Sequence, residues 1–328
     1  MNRDLRTVPT ERSALFREDT PLVAYDDRTV TTHVPVMTAE ALQFLRPERG
    51  GLLSTARSAS AGTRARFSEA GATRLIGLDR DLDALARARA TLAPFGDRVR
   101  LVHADYRSLD EVLDREHVDV VDGTLADLGV SSLQFDAPGR GFSFQRDEPL
   151  DMRMDRAAGR RRPILIARST ERDLADAIFQ CGEERFSRRI ARAIVDARQS
   201  APVETTGRLA AIVRRAMPRR PGRGPMRIDP ATRTFQALRI WVNQELDGLD
   251  RFLEAAVRRL RDGARLVVIT FHSLEDRIVK HTLRALAHRD DAAVRVLTKK
   301  PIVPTEEEVA RNPRAQQRSC ARQKGGPA

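Results

Sequence analysis

In the first 130 residues of this 328-residue chain, short apolar runs end on a polar residue and alternate with stretches of helical spacing, a pattern that few folds satisfy. Residues 74–78 (RLIGL) run into Asp79, and residues 81–92 repeat Leu82, Leu85 and Ala88 at helical spacing. Residues 98–103 (RVRLVH) alternate as a strand, and the largely apolar residues 118–126 run into Asp127. Strand–helix–strand units of this kind build a parallel sheet, which places ligands beyond the carboxyl ends of its strands. Near the other end, residues 265–271 (RLVVITF) read as a buried strand and residues 274–286 as the helix after it, with a last strand expected at 293–297.

The middle carries helical spacing and almost no strand signal. Leu174 with Ile178, then Phe186, Ile190 and Ile194, then Leu209, Ile212 and Val213 form apolar stripes, and Gly182 breaks the first from the second. The basic loop 218–227 (PRRPGRGPMR) is too rich in Pro and Gly for a helix or strand. The expected fold class is α/β: a Rossmann-like sheet with an inserted all-helical domain. The borders are an N-terminal extension at 1–32, a discontinuous α/β domain at 33–139 and 237–328, and the helical insertion at 140–236.

Charge points to the partner. The formal charge is +12, and residues 136–236 alone hold 22 Arg against 13 Asp or Glu. Clustered cations gain affinity by releasing counterions from phosphates, so a polyanion such as RNA is expected, the alternative being a solvated basic surface. Only Lys280, Lys299, Lys300 and Lys324 are lysines, a bias that fits GC-rich codons. No apolar run approaches the ~20 residues of a membrane span, so no membrane partner is expected. The mixed charges of the first residues fit neither a secretory nor a transit signal, which makes the cytoplasm the expected location. Cys181 and Cys320 lie far apart without histidine partners, which suggests neither a disulfide framework nor a metal site.

Asp79, at the end of a second sheet strand, stands where an adenosine-binding fold puts a carboxylate to receive ribose hydroxyls; a helix cap is the competing role. Tyr106, three residues past His103, could stack on an adenine or simply pack. Asp127 opens Asp-Leu-Gly-Val-Ser-Ser, with Ser131, Ser132 and Gln134 close behind, a polar wall on one strand-end loop.

Eight motifs then occur in order: HVPVM (33–37), LDRD (78–81), DLGVSS (127–132), RGFSF (140–144), PLDMRMD (149–155), GEERFSRRIARAIV (182–195), DPATRTFQALRIWVN (229–243) and FHSLEDRIVK (271–280). Together they strongly resemble the ribosomal small-subunit RNA cytosine-N4 methyltransferase family, over residues 33–314. The resemblance implies a class I methyltransferase domain that uses S-adenosylmethionine and no metal. Its partner would be 16S rRNA or the small ribosomal subunit, and its substrate the exocyclic amine of one cytidine in the decoding region. The family's cofactor contacts fall on Asp79, Tyr106, Asp127 and Gln134, with the loop at Ser60, Ala61 and Gly62. Asp127 would polarise the amine, and Ser131 or Ser132 would orient the base. Phe142 and Phe144 are candidates to stack on an extruded base, though core packing suits them better. Arg153, Arg233 and Arg239, together with Arg188, Arg189 and Arg192, are candidate RNA contacts, internal salt bridges being the alternative for the first three. His272 could face the cleft, or Ser273 with Asp276 could simply cap a helix.

One segment departs from the family. Members carry a first strand, an Asp and a Gly-x-Gly-Gly-His loop where this chain has residues 53–68, with Ser58, Ala59, Ser60, Ala61, Gly62 and Thr63 at the loop. The resemblance stops at Leu53 and resumes by Glu69 without a change in length. Gly-Gly-His written GGC GGG CAC G reads, one base later, as Ala-Gly-Thr, the residues at 61–63. The family's common Pro-Thr-Ala-Ala shifts likewise to Arg-Arg-Arg-Pro, found at 160–163. Residues 316–328 depart in the same manner. A local reading-frame shift is therefore expected, with a lost first-strand pattern and with Arg57, Arg64 and Arg66 where apolar or small residues should pack. The alternative function is a ribosome-binding relative that holds RNA but not cofactor. An amino methyltransferase acting on DNA shares the chemistry, but the resemblance runs through the helical insertion as well.

Overall fold

The structure is a computed structural model. It describes residues 36–56, 61–157, 164–218, 229–288, 294–298, 300–312 and 319–325, all within one compact unit, His33–Ala328. Its strands are β1 (Leu52–Ala56), β2 (Arg74–Asp79), β3 (Val99–His103), β4 (Val121–Asp127), β5 (Leu260–Thr270), β6 (Val294–Val296) and β7 (Ser319–Gly325). They form one sheet in the order β3-β2-β1-β4-β5-β7-β6. Strands β1 to β5 run parallel, and β7 pairs antiparallel with both β5 and β6. This is the class I methyltransferase sheet that the resemblance implies. The strand order reverses between β1 and β4, which opens a crevice at their carboxyl ends.

Parallel strands covered on both faces read as continuous apolar runs, and β5 shows why. Leu266 and Val268 pack with Ile76, Leu78 and Ala126 on one face, whereas Val267 and Ile269 pack with Leu53, Leu75, Leu125 and Phe67 on the other. Two expectations are corrected here. Residues 294–296 are not the last strand, because Ser319–Gly325 inserts between β5 and β6, using backbone pairing that its polar sequence does not advertise. The first-strand pattern is not lost either: residues 52–56 form β1 between β2 and β4, and the buried hydroxyls of Ser54 and Thr124 satisfy each other at 2.8 Å.

The middle of the chain is helical. Helices Glu171–Gly182, Ser187–Ser200, Thr206–Ala216 and Ala231–Asn243 bury Leu174, Ile178, Ile190, Ile194, Leu209, Val213 and Leu238 in one cluster. Thr170 and Asp173 form a reciprocal capping box on the first of these helices. It ends in Glu183, a left-handed residue at φ 49°, one position after the glycine expected to break it. The helix Ala231–Asn243 runs through the expected border at 236, and its Leu238 and Val242 belong to the helical cluster. A border at 236 would fall inside this helix. Residues 160–163 and most of the loop 218–227 lie outside the described residues, as does the N-terminal extension. Among the described residues no helix is long and apolar enough to cross a membrane.

Candidate functional site

Two carboxylates stand at the carboxyl ends of parallel strands on either side of β1, Asp79 on β2 and Asp127 on β4. Asp79 is not a helix cap. That role belongs to Asp81, whose Oδ1 accepts from the backbone amides of Asp83 and Ala84 at 3.0 and 3.3 Å, ahead of the helix Leu82–Leu92. Asp79 Oδ1 instead accepts from the Asp81 amide at 3.0 Å. It is 4% exposed, and burial pushes its carboxyl above the usual range, partly opposed by the guanidinium of Arg64.

Arg64 is the unexpected member. The helix Ala61–Glu69 turns Phe67 and Arg64, three residues apart, onto one buried face. Arg64 is 1% exposed; its Nε donates to Thr55 Oγ1 at 2.9 Å and its Nη2 to the Leu78 carbonyl at 3.2 Å. Gly77 makes the room, since a Cβ there would lie 2.9 Å from Arg64 Nε. Burial lowers the Arg64 pKa, while the charges of Asp79 and Asp127 oppose that shift. An arginine thus sits at the crevice within electrostatic reach of both carboxylates.

The loop after β4 is fixed from within. Gly129 has φ +95°, and a Cβ on it would fall 2.8 Å from the Phe271 ring. Gln134 Oε1 accepts from the Ser131 amide at 3.0 Å, and its Nε2 donates to Asp81 Oδ2 at 2.6 Å. Ser131 Oγ accepts from the Gln134 amide at 3.3 Å. Ser132 opens the short helix Ser132–Asp136. Replacing Gly129 by alanine is expected to cost about 1–3 kcal/mol, because the residue would be both strained and crowded. A denaturant midpoint equal to that of the parent would contradict this.

Arg140 anchors the following segment to the same point. Its Nη2 donates to Asp81 Oδ2 at 2.7 Å and to the Arg153 and Met154 carbonyls at 3.1 Å, while Nη1 reaches Asp83 at 3.0 Å. Asn243, closing the helix Ala231–Asn243, bonds the backbone of Met152 and Met154 at 2.7 and 2.8 Å and through its own carbonyl accepts from Arg80 at 2.9 Å. The helical part is therefore bonded to the rim of the crevice.

Other expected site residues are placed elsewhere. Tyr106 is buried with its ring edge-on to Phe252, centroids 5.0 Å apart, and its hydroxyl donates to the Glu245 carbonyl. Its ring packs in the core and is not offered to an adenine. Arg239 is removed from the candidate phosphate contacts, because it is buried and engages both oxygens of Glu245 at 2.8 and 3.0 Å. Arg153 is held by Asp151, and Arg233 is exposed, reaching the Glu183 carbonyl at 3.3 Å. Arg188, Arg189 and Arg192 are exposed on the helix Ser187–Ser200, with Arg192 near Glu171. Phe142 is buried, and Phe144 stacks edge-on with Phe235 at 4.8 Å, both in the helical cluster. His272, rather than Ser273, caps the helix Ser273–Ala287, because Ser273 Oγ is turned to Glu183 Oε2 at 2.8 Å. Glu245, His272 and Glu275 bring ligand-type atoms within 4.8 Å of one another. Arg239 already neutralises Glu245, so the cluster reads as an ion-pair network.

With this geometry in place, comparison with known proteins is decisive. The profile of the MraW methylase family matches residues 30–321. The chain belongs to that family. Its relatives include the ribosomal RNA small subunit methyltransferase H of Geotalea uraniireducens, 46% identical over 298 residues, covering 86% of this chain and 95% of that protein. The proteins of the same name from Nitratidesulfovibrio vulgaris and Sorangium cellulosum are 49% and 48% identical, covering 86% and 90% of this chain and 92% and 91% of theirs. Among solved structures, a putative methyltransferase of Streptococcus mutans in complex with SAH aligns at TM-score 0.40 and 10% identity, covering 89% of this chain and 99% of that one. A putative rRNA-methylase of Clostridium thermocellum gives the same TM-score and identity, covering 88% and 94%.

Several residues that the resemblance assigns to S-adenosylmethionine are engaged within the protein. Asp79 is buried opposite Arg64. The Gln134 amide is spent on Ser131 and Asp81, and Tyr106 is in the core. Ser60 lies outside the described residues, while Ala61 and Gly62 open a helix. Sequence reasoning missed Asp81 and Arg140 as the hub of the rim. Their signal was the pair of charged residues within LDRD and RGFSF, motifs noted only for order.

Proposed function

We propose that this chain is built as a ribosomal-RNA cytosine-N4 methyltransferase of the small subunit, with S-adenosylmethionine as donor. The identity of 46–49% to relatives bearing that small-subunit name, over 86% of the chain, carries the reading. In it, Asp127 accepts a hydrogen bond from the exocyclic amine of the target cytosine, Ser131 and Ser132 orient the extruded base, and the helical part grips the RNA backbone. The exposed arginines of the helix Ser187–Ser200 support the last role. The second reading, an RNA-binding relative that lacks methyl transfer, is favoured by one observation, the buried Arg64 beside Asp79.

The test is labelled methyl incorporation into small subunits lacking the modification, followed by nucleoside analysis. We expect little product from the chain as it stands, and N4-methylcytidine at one position once a Gly-x-Gly-Gly-His loop replaces residues 59–63 and Arg64 is changed to alanine. Absence of that nucleoside in both would refute the methyltransferase reading. Charge reversal of Arg188, Arg189 and Arg192 together should weaken RNA binding and flatten its salt dependence, since each phosphate contact contributes close to one unit of slope. An unchanged slope would make these arginines a solvated helix face.

A further inference from the structure

Resting on the cofactor reading above, we infer that Arg64 is the residue that decides whether the crevice at the carboxyl ends of β2, β1 and β4 takes a nucleoside: its side chain, buried against Thr55 and the Leu78 carbonyl next to Asp79, takes up space that the ligand's ribose would need. A guanidinium is costly to bury, and it persists only where hydrogen bonds and opposite charge hold it. Here Thr55 Oγ1 and the Leu78 carbonyl accept from it at 2.9 and 3.2 Å. Both Asp79 and Asp127 act on its charge. The partners lie on β1 and at the end of β2, and Gly77 opens the space beneath them. Thr55 and Leu78 lie toward the carboxyl-end edge of the sheet, beside the switch point between β1 and β4 where such a sheet receives a ligand. At 1% exposure the side chain is out of reach of RNA.

The experiment is calorimetric titration of the full chain with S-adenosylhomocysteine, whose thioether is uncharged, so that exclusion reports lost space and hydrogen bonds rather than repulsion of a sulfonium. Arg64→Ala is expected to bind at least about 100-fold more tightly than the parent, the order lost when charged hydrogen bonds to a ligand are denied. A third chain, with the Gly-x-Gly-Gly-His loop restored but Arg64 kept, should stay weak. Tight binding by the parent, equal weakness of parent and Arg64→Ala, or tight binding by the loop-restored chain that keeps Arg64 would each overturn the inference. Circular dichroism checks each fold. If the alanine form does not hold together, Arg64→Gln, shorter and uncharged, should show an intermediate gain, and no gain there overturns the inference. Methyl transfer is scored separately: a variant that gains the nucleoside yet modifies no RNA leaves this inference standing and removes the proposed function.

Discussion

Replacing Asp79 by alanine should destabilise the fold by about 1–3 kcal/mol, because it leaves the Asp81 amide without its acceptor and removes a group whose charge acts on a buried guanidinium. The survivor is Arg64, 1% exposed, a group that resists neutralisation even with its pKa lowered by burial. The opposite replacement, Arg64→Ala, should cost less, because burial holds the Asp79 carboxyl above its usual range and a carboxyl left without the guanidinium can take up a proton where a guanidinium does not readily lose one. Urea denaturation of both variants checks the asymmetry; equal losses would mean that the two groups do not form a pair. The sign of the pH dependence follows. Asp79 holds its proton more tightly folded than unfolded, so its contribution is present below the usual carboxylate range and is lost as pH rises through the raised folded-state value. Asp79→Asn should abolish that component of the stability profile.

Arg140→Met should lower stability by about 3–5 kcal/mol, and should do so at the junction of the two parts of the chain. The side chain is only 4% exposed and holds Asp81, Asp83 and the Arg153 and Met154 carbonyls together. Methionine keeps the apolar stem but strands the carboxylate of Asp81, itself 1% exposed, with Gln134 as its remaining side-chain partner on Oδ2. Hydrogen exchange should quicken first in residues 150–154 and in the first turn of the helix Leu82–Leu92. Uniform quickening across the helical cluster instead would mean that Arg140 supports the whole fold and not the junction.

Much of the sheet was readable before any coordinates. Strands β2, β4 and β5 follow from largely apolar runs, because strands covered on both faces carry few polar positions, and the edge strand β3 follows from its alternation. The helical part was readable for the same reason: Leu174, Ile178, Ile190 and Ile194 recur at the period of one helix face. Failures came where pairing rather than side-chain pattern decides. β1 carries Ser54 and Thr55 at buried positions, tolerable only because Thr124 and Arg64 stand opposite to bond them. β7, Ser-Cys-Ala-Arg-Gln-Lys-Gly, is held by backbone bonds to β5 and β6 and shows no strand period.

The candidate site divides along the same line. Sequence alone placed Asp79 and Asp127 at strand ends, since chain order, the right-handed crossover and the strand period together determine which residues reach the carboxyl edge of a parallel sheet. Which side chains those carboxylates meet was decided only by tertiary structure. Arg64 reaches Thr55 and Leu78 because Gly77 leaves room beneath it. Arg140 reaches Asp81 across 59 positions, and Arg239 turns inward to Glu245. An arginine's long stem lets it serve a surface, a phosphate or a buried carboxylate equally well. Its role is set by the nearest unpaired opposite charge in space, and separation along the chain does not encode that distance.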